Sequence, residues 1–235
     1  MYNPNETISI DRPISTANTN IFFQKVYLWM TVGLAVTALA SAFMLYSQPA
    51  QQFVFGNKIV FYGLIFAELG MVIAISAAIN RISAATATLM FVAYSALNGV
   101  TFAAIFMLYT RSSIASTFLV TAGTFGAMSL YGYVTKRSLT GFGNFLFMGL
   151  IGIIIASVVN IFLHSEMIYW ITTYIGVFIF VGLTAYDTQK IKQIGAAGFA
   201  NGQDQQKAAV LGALRLYLDF INLFLMLLRI MGNRR

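Results

Sequence analysis

The chain contains no cysteine, which excludes disulfides and thiol chemistry and leaves the redox compartment open. Its one histidine, His164, is too little imidazole for the usual zinc hydrolase site. Charge is scarce: Asp, Glu, Lys and Arg make up 9% of 235 residues, against 59% hydrophobic residues. Such a balance excludes an ordinary soluble domain and marks an integral membrane protein. The net charge of +7 is not a nucleic-acid signal, because the basic residues stand between apolar runs, where orientation and lipid headgroups account for them. The first 25 residues carry Glu6 and Asp11 and have no basic start followed by an apolar core, so no cleavable signal peptide is expected.

What the chain has is long apolar runs. Seven of them can cross about 30 Å of hydrocarbon, which takes about 20 helical residues: Val26 to Tyr46, Ile59 to Ala78, Ala87 to Leu108, Ile114 to Val134, Phe145 to Leu163, Ile168 to Lys190 and Ala208 to Met231. In lipid every backbone polar group must be satisfied within its own segment, and alternation at period two is missing. These are therefore helices, not barrel strands. The expected organisation is an all-α membrane protein, with a polar N-terminal segment at 1–24 and one seven-helix transmembrane domain at 25–235. Turn chemistry separates the runs at Ser47-Gln48-Pro49, at Asn80-Arg81, at Thr110 to Ser113, at Lys136 to Asn144 with Gly141 and Gly143, and over the longer Gly195 to Gln206. Small residues at Ala122, Gly123, Gly126, Ala127, Gly149 and Gly152 read as close helix packing.

Basic residues orient the bundle. Arg12, Lys25, Arg81, Lys136, Arg137, Lys190, Lys192 and Lys207 fall on one side; Lys58, Arg111, Arg234 and Arg235 fall on the other. Eight against four puts the N-terminus in the cytoplasm and, after seven spans, the C-terminus outside. The basic tail Gly-Asn-Arg-Arg runs against that rule.

Two acids lie where acids are costly: Asp187 in VGLTAYDTQKIK and Asp219 in LRLYLDFINLFLMLLRI. Their midpoint in sequence is Gln203, inside a polar stretch, and residues equidistant from a helical turn lie at similar depth. Symmetry about Gln203 thus permits a level pair without establishing a contact. Arg215, Asp219, Asn222, Met226 and Arg229 recur at steps of three or four on one helix face. That stripe fits either an internal polar path or a glue that holds the bundle through Arg215 and Asp219 at i, i+4. Level carboxylates in a low-dielectric site repel, so one should hold a proton near neutral pH; alternatively the pair shares a Ca²⁺ ion with backbone carbonyls. Arg81, on the same side, could latch Asp187, and Arg215 is the second latch candidate. Glu68, mid-span, divides evenly between a pathway residue and a packing residue, and Asn222 is a second pathway candidate. His164 reads as a loop residue, and Asn98 and Asn160 as interhelical hydrogen-bonders.

These residues resemble the Bax inhibitor 1, or transmembrane Bax inhibitor motif, family in its bacterial branch. The likeness spans about Lys25 to Met231 and rests on VYLWMTVGLAVTALAS, SALNGVTFAAIF, GVFIFVGLTAYDTQKIK and LYLDFINLFLMLLRI, the last two together being specific. It implies seven helices with the last one central, and a pH-sensitive Ca²⁺ leak in the bacterial plasma (inner) membrane. The family's paired aspartates fall on Asp187 and Asp219, and its latch arginine on Arg81. The longer loop Gly195 to Gln206 and Arg215, one turn before Asp219, depart from shorter relatives; Arg215 could neutralise Asp219.

The leading expectation is a passive, proton-modulated cation leak, with Ca²⁺ as the transported ion, no cofactor and no enzymatic activity. An intramembrane aspartyl protease shares the Tyr-Asp dipeptide at Tyr186-Asp187, but Leu216, Tyr217 and Leu218 stand where Gly-x-Gly is required and no Pro-Ala-Leu occurs. The resemblance also implies partner control, including a membrane-bound AAA protease in bacteria, with residues 1–24 as the natural contact. A retinal protein is disfavoured because the seventh span has no lysine.

Overall fold

Hydrocarbon offers the main chain no hydrogen-bonding partner, so each apolar run closes its hydrogen bonds on itself as a helix. The computed structural model describes residues 16–235, with side chains from 19 onward. Its helices are α1 (Thr16–Tyr46), α2 (Gln48–Phe55), α3 (Lys58–Ala78), α4 (Ala84–Leu108), α5 (Arg111–Val134), α6 (Thr140–Leu163), α7 (Glu166–Ala197) and α8 (Gly202–Met231). All but α2 are long and apolar enough to span a membrane, as expected. Polar residues between the runs act as caps. The Ser83, Thr110, Ser165 and Asn201 side chains accept from the main-chain N–H of Thr86, Ser113, Ile168 and Asp204.

Four expectations need revision. Ser47-Gln48-Pro49 is a helix start rather than a plain turn: proline falls in the first turn of α2, where no N–H partner is needed. The connection between the last two spans is 198–201 rather than Gly195 to Gln206, because α7 continues to Ala197 and ends at Gly198 with φ 79°, a left-handed conformation open to glycine. Gly141 and Gly143 lie inside α6, and the Tyr186 ring packs where a Cβ on Gly143 would stand. The helix α1 begins at Thr16, within the segment read as polar; residues 1–15 lie outside the described residues.

The small-residue reading also changes. Gly123, Gly126 and Gly152 face open space, whereas Gly132 presses on the Ala185 carbonyl and brings α5 against α7. Spacing alone did not say which face of α5 turns inward.

Helix α8 packs against α1, α4, α5 and α7. It is the most buried span, at 61% of its most apolar window, whereas α3 and α6 are the least, at 6% and 11%. The seam from α1 to α4 is closed by backbone proximity. Gly99 abuts the Thr37 carbonyl, Ser41 donates to the Gly99 carbonyl at 2.7 Å, and Thr37 donates to the Ser95 carbonyl at 2.9 Å. The start of α1 and the C-terminal tail lie at opposite ends of the bundle. Phe22 near the start of α1 packs at a tilt against Phe199, while the C-terminal tail pairs with the connection from α4 to α5: Thr110 N–H donates to the Asn233 carbonyl at 3.1 Å and Arg235 N–H to the Leu108 carbonyl at 3.0 Å.

Candidate functional site

All five residues of the polar stripe on α8 line one cavity of about 1270 Å³. Glu68 from α3 and Asp187 from α7 line it as well, and α6 supplies Asn144, Ser157 and Asn160. The cavity runs the length of the bundle, from Asn144 and Lys190 near the end that holds the connection from α7 to α8, to Asn160, Tyr169 and Arg229 near the other. There a second cavity, of about 610 Å³, shares Asn160, Tyr169 and Arg229 and reaches the tail at Gly232 and Arg234.

The stripe faces the cavity because α8 spends its other sides on packing. Leu214, Leu216, Tyr217, Phe220 and Leu223 are buried, and Tyr217 is held by its hydroxyl against Thr37 at 2.6 Å and by edge-on contacts with Phe91 and Tyr94. Burying that apolar surface fixes the rotation of the helix, and the polar residues are left toward the open side.

The register differs from the symmetry expected about Gln203. Gly212 lies against Ile191, and Gly176 against Met226, so the residue level with Asp187 is Arg215 and not Asp219. Asp219 sits one helical turn further along, a rise of about 6 Å. The Arg215 guanidinium accordingly stands 3.4 Å from the Asp187 carboxylate, the one ion pair among the described residues. The glue suggested at i, i+4 within α8 is therefore not the contact made: Arg215 reaches across to α7, not along to Asp219. Arg81 is exposed in the turn after α3 and makes no ion pair among the described residues. In this structure Arg215 holds the place expected of Arg81.

Asp219 is 4% exposed, and its Oδ2 has no hydrogen-bond partner among the described residues. Nearly every other buried polar side chain here is satisfied, so the orphaned oxygen is unusual. Glu68 accepts a hydrogen bond from Thr101 at 3.0 Å and faces no cation at ion-pair distance. Asn222 donates to the Leu218 carbonyl at 2.8 Å within its own helix and lines the cavity. Asn160 differs from its interhelical reading. It accepts from the Ser165 N–H at 2.9 Å, and so shapes the turn between α6 and α7. His164 is the left-handed residue of that turn, with φ 50°.

Asn144, Ser157 and Lys190 line the wall without having been read as site residues from the sequence. Lys190 lies over the Tyr186 ring at 5.6 Å and Arg229 over the Tyr169 ring at 5.2 Å, so two of the three cations of the wall are cushioned by aromatic faces. Behind Asp187, the hydroxyls of Tyr27, Ser129 and Thr188 form a chain joining α1, α5 and α7. The available signal was Ser or Asn interrupting an apolar run, as at Asn144 and Ser157 in α6.

A family model described as Inhibitor of apoptosis-promoting Bax1 matches residues 19–235. The inner membrane protein YbhL of Escherichia coli (strain K12) is 56% identical over 220 residues, covering 93% of this chain and 94% of the relative. An uncharacterised protein of Borreliella burgdorferi is 47% identical over 216 residues, covering 92% and 93%. A membrane protein of Streptococcus pyogenes serotype M1, also uncharacterised, is 39% identical over 221 residues, covering 93% and 95%.

Proposed function

The chain belongs to the Bax inhibitor family of membrane proteins, and from that premise we propose that it is a passive, proton-modulated cation leak with Ca²⁺ as the transported ion. The observation that carries this reading is the cavity: one polar stripe of α8 lines it end to end, and it holds an acid, Asp219, whose Oδ2 no group among the described residues satisfies. A carboxylate shielded from water and left without a partner is costly, so a cation passing along the stripe gains from it. Glu68, Asn222 and Asp219 offer the oxygen ligands that Ca²⁺ prefers.

The pair of Arg215 and Asp187 supplies the proton response. While Asp187 is ionised, it holds Arg215 against α7 at 3.4 Å; a proton on Asp187 removes the charge that holds it. The positive head of Arg215 is then free to move relative to Asp219, one turn away. This reading is of transport and not of catalysis, since a guanidinium occupies one carboxylate of what would be a protease dyad. Orientation with the N-terminus in the cytoplasm belongs to the same proposal and follows from the excess of basic residues at that end.

Ca²⁺ flux into proteoliposomes tests it. The Asp187→Asn, Asp219→Asn double variant should lose the pH dependence of flux, and Asp187→Asn alone should behave as wild type does when acidified. Wild-type flux that stays constant from about pH 6 to about pH 8 would reject proton modulation. Arg215→Ala should change the pH profile while Arg81→Ala leaves it in place; the reverse result would move the latch back to the turn after α3.

A further inference from the structure

The cavity has a side as well as two ends. Helix α3 packs on α2 and α4, and α6 on α7, so the two least buried spans flank the cavity without packing extensively on each other. Beside the polar residues they contribute, several of their cavity-lining residues are apolar and largely exposed: Leu69 at 58%, Phe147 at 58% and Ile154 at 54%. Side chains that line the cavity and also face hydrocarbon mark a sideways opening into the bilayer.

What lies behind the opening is asymmetric in charge. The three cations of the wall are engaged: Arg215 with the Asp187 carboxylate, Lys190 with the Tyr186 ring and Arg229 with the Tyr169 ring. The two remaining acids are not matched by cations. Glu68 receives only the Thr101 hydroxyl, and the buried Asp219 has an oxygen with no partner. A volume of about 1270 Å³ exceeds the range of about 300 to 1,000 Å³ usual for small-molecule sites, and is far more than a bare ion needs.

We propose that this cavity is a binding site for a single-chain amphiphilic amine that enters from the bilayer between α3 and α6, its ammonium drawn to the unmatched acids of the wall, Asp219 and Glu68, and its alkyl chain against Leu69 and Ile154. Charge complementarity selects the occupant. An anionic amphiphile would bring a second negative charge to acids that already lack cations, whereas an ammonium supplies what they lack. The site does not depend on ion conduction, because the amine arrives from lipid and its binding needs no gradient.

The test uses the full-length protein in phosphatidylcholine nanodiscs and a dodecylamine probe with a photoreactive diazirine in its chain. Cross-linked positions are read by mass spectrometry. The expected result is labelling concentrated on the α3 and α6 rim, displaced by dodecylamine and not by dodecanoate, and reduced at least about tenfold by Asp219→Asn or Glu68→Gln, the loss of about 1.4 kcal/mol of binding. Labelling of the outward residues Leu39 and Phe43 on α1 should not change. Ser157→Trp, which fills the cavity from α6 and alters no acid, should also exclude the probe, so the proposal stays testable if an acid variant fails to elute as folded protein. Labelling spread evenly over exposed surfaces, labelling untouched by these variants, or equal displacement by dodecanoate would each overturn it. Probe binding without any Ca²⁺ flux would uphold this site and remove the leak; flux without probe binding would do the reverse.

Discussion

The two faces of α8 have opposite economies. On one, Leu214, Leu216, Tyr217 and Leu223 are no more than 1% exposed, and the single tyrosine hydroxyl among them is satisfied by Thr37. On the other, Arg215, Asp219, Asn222 and Arg229 line a cavity, and Asp219 is left with an orphaned oxygen. The packed face holds the helix in place; the cavity face is costly to maintain and carries whatever the protein does. A residue is thus better judged by the face it occupies than by its polarity alone.

That contrast can be broken or sharpened by substitution, read as thermal unfolding of the purified protein in one detergent. Tyr217→Ala should have the largest effect, a loss of about 3 to 5 kcal/mol, since it empties a fully buried aromatic site among Phe91 and Tyr94. Asp219→Leu should go the other way and stabilise by about 1 to 3 kcal/mol, because it replaces an unsatisfied buried group with an apolar one, while altering ion flux. Destabilisation by Asp219→Leu would mean that Asp219 is structural glue, and the distinction between the faces would fail. Tyr217→Phe should cost about 1 kcal/mol, the net worth of the hydrogen bond to Thr37, with flux unchanged. Asn222→Ala should be the smallest, within about 0.5 kcal/mol, because its side chain bonds only to a carbonyl of its own helix. An Asn222→Ala cost equal to that of Tyr217→Ala would show both faces to be equally structural.

The same division explains what was legible before the structure. Seven spans, and the stripe of Arg215, Asp219, Asn222, Met226 and Arg229, could be read from runs and spacing because helical periodicity is local. The partner of Arg215 could not. A connection closing at 198–201 rather than about Gln203 displaces α8 by nearly a turn against α7, so that Arg215 takes the place beside Asp187 that symmetry had given to Asp219. The inward face of α5 was similarly out of reach, since Gly123, Gly126 and Gly132 look alike in sequence and only Gly132 meets another backbone.

By itself the sequence determined the class, the number of spans and the one face of α8 that carries charge, because hydrocarbon forces every apolar run to satisfy its own main chain and 3.6 residues per turn does the rest. Only the tertiary structure decided which acid is paired and which stands alone, and that the space beside them opens between α3 and α6. Register between helices and the gaps left by their packing depend on contacts among residues far apart in the chain, and no local pattern encodes those.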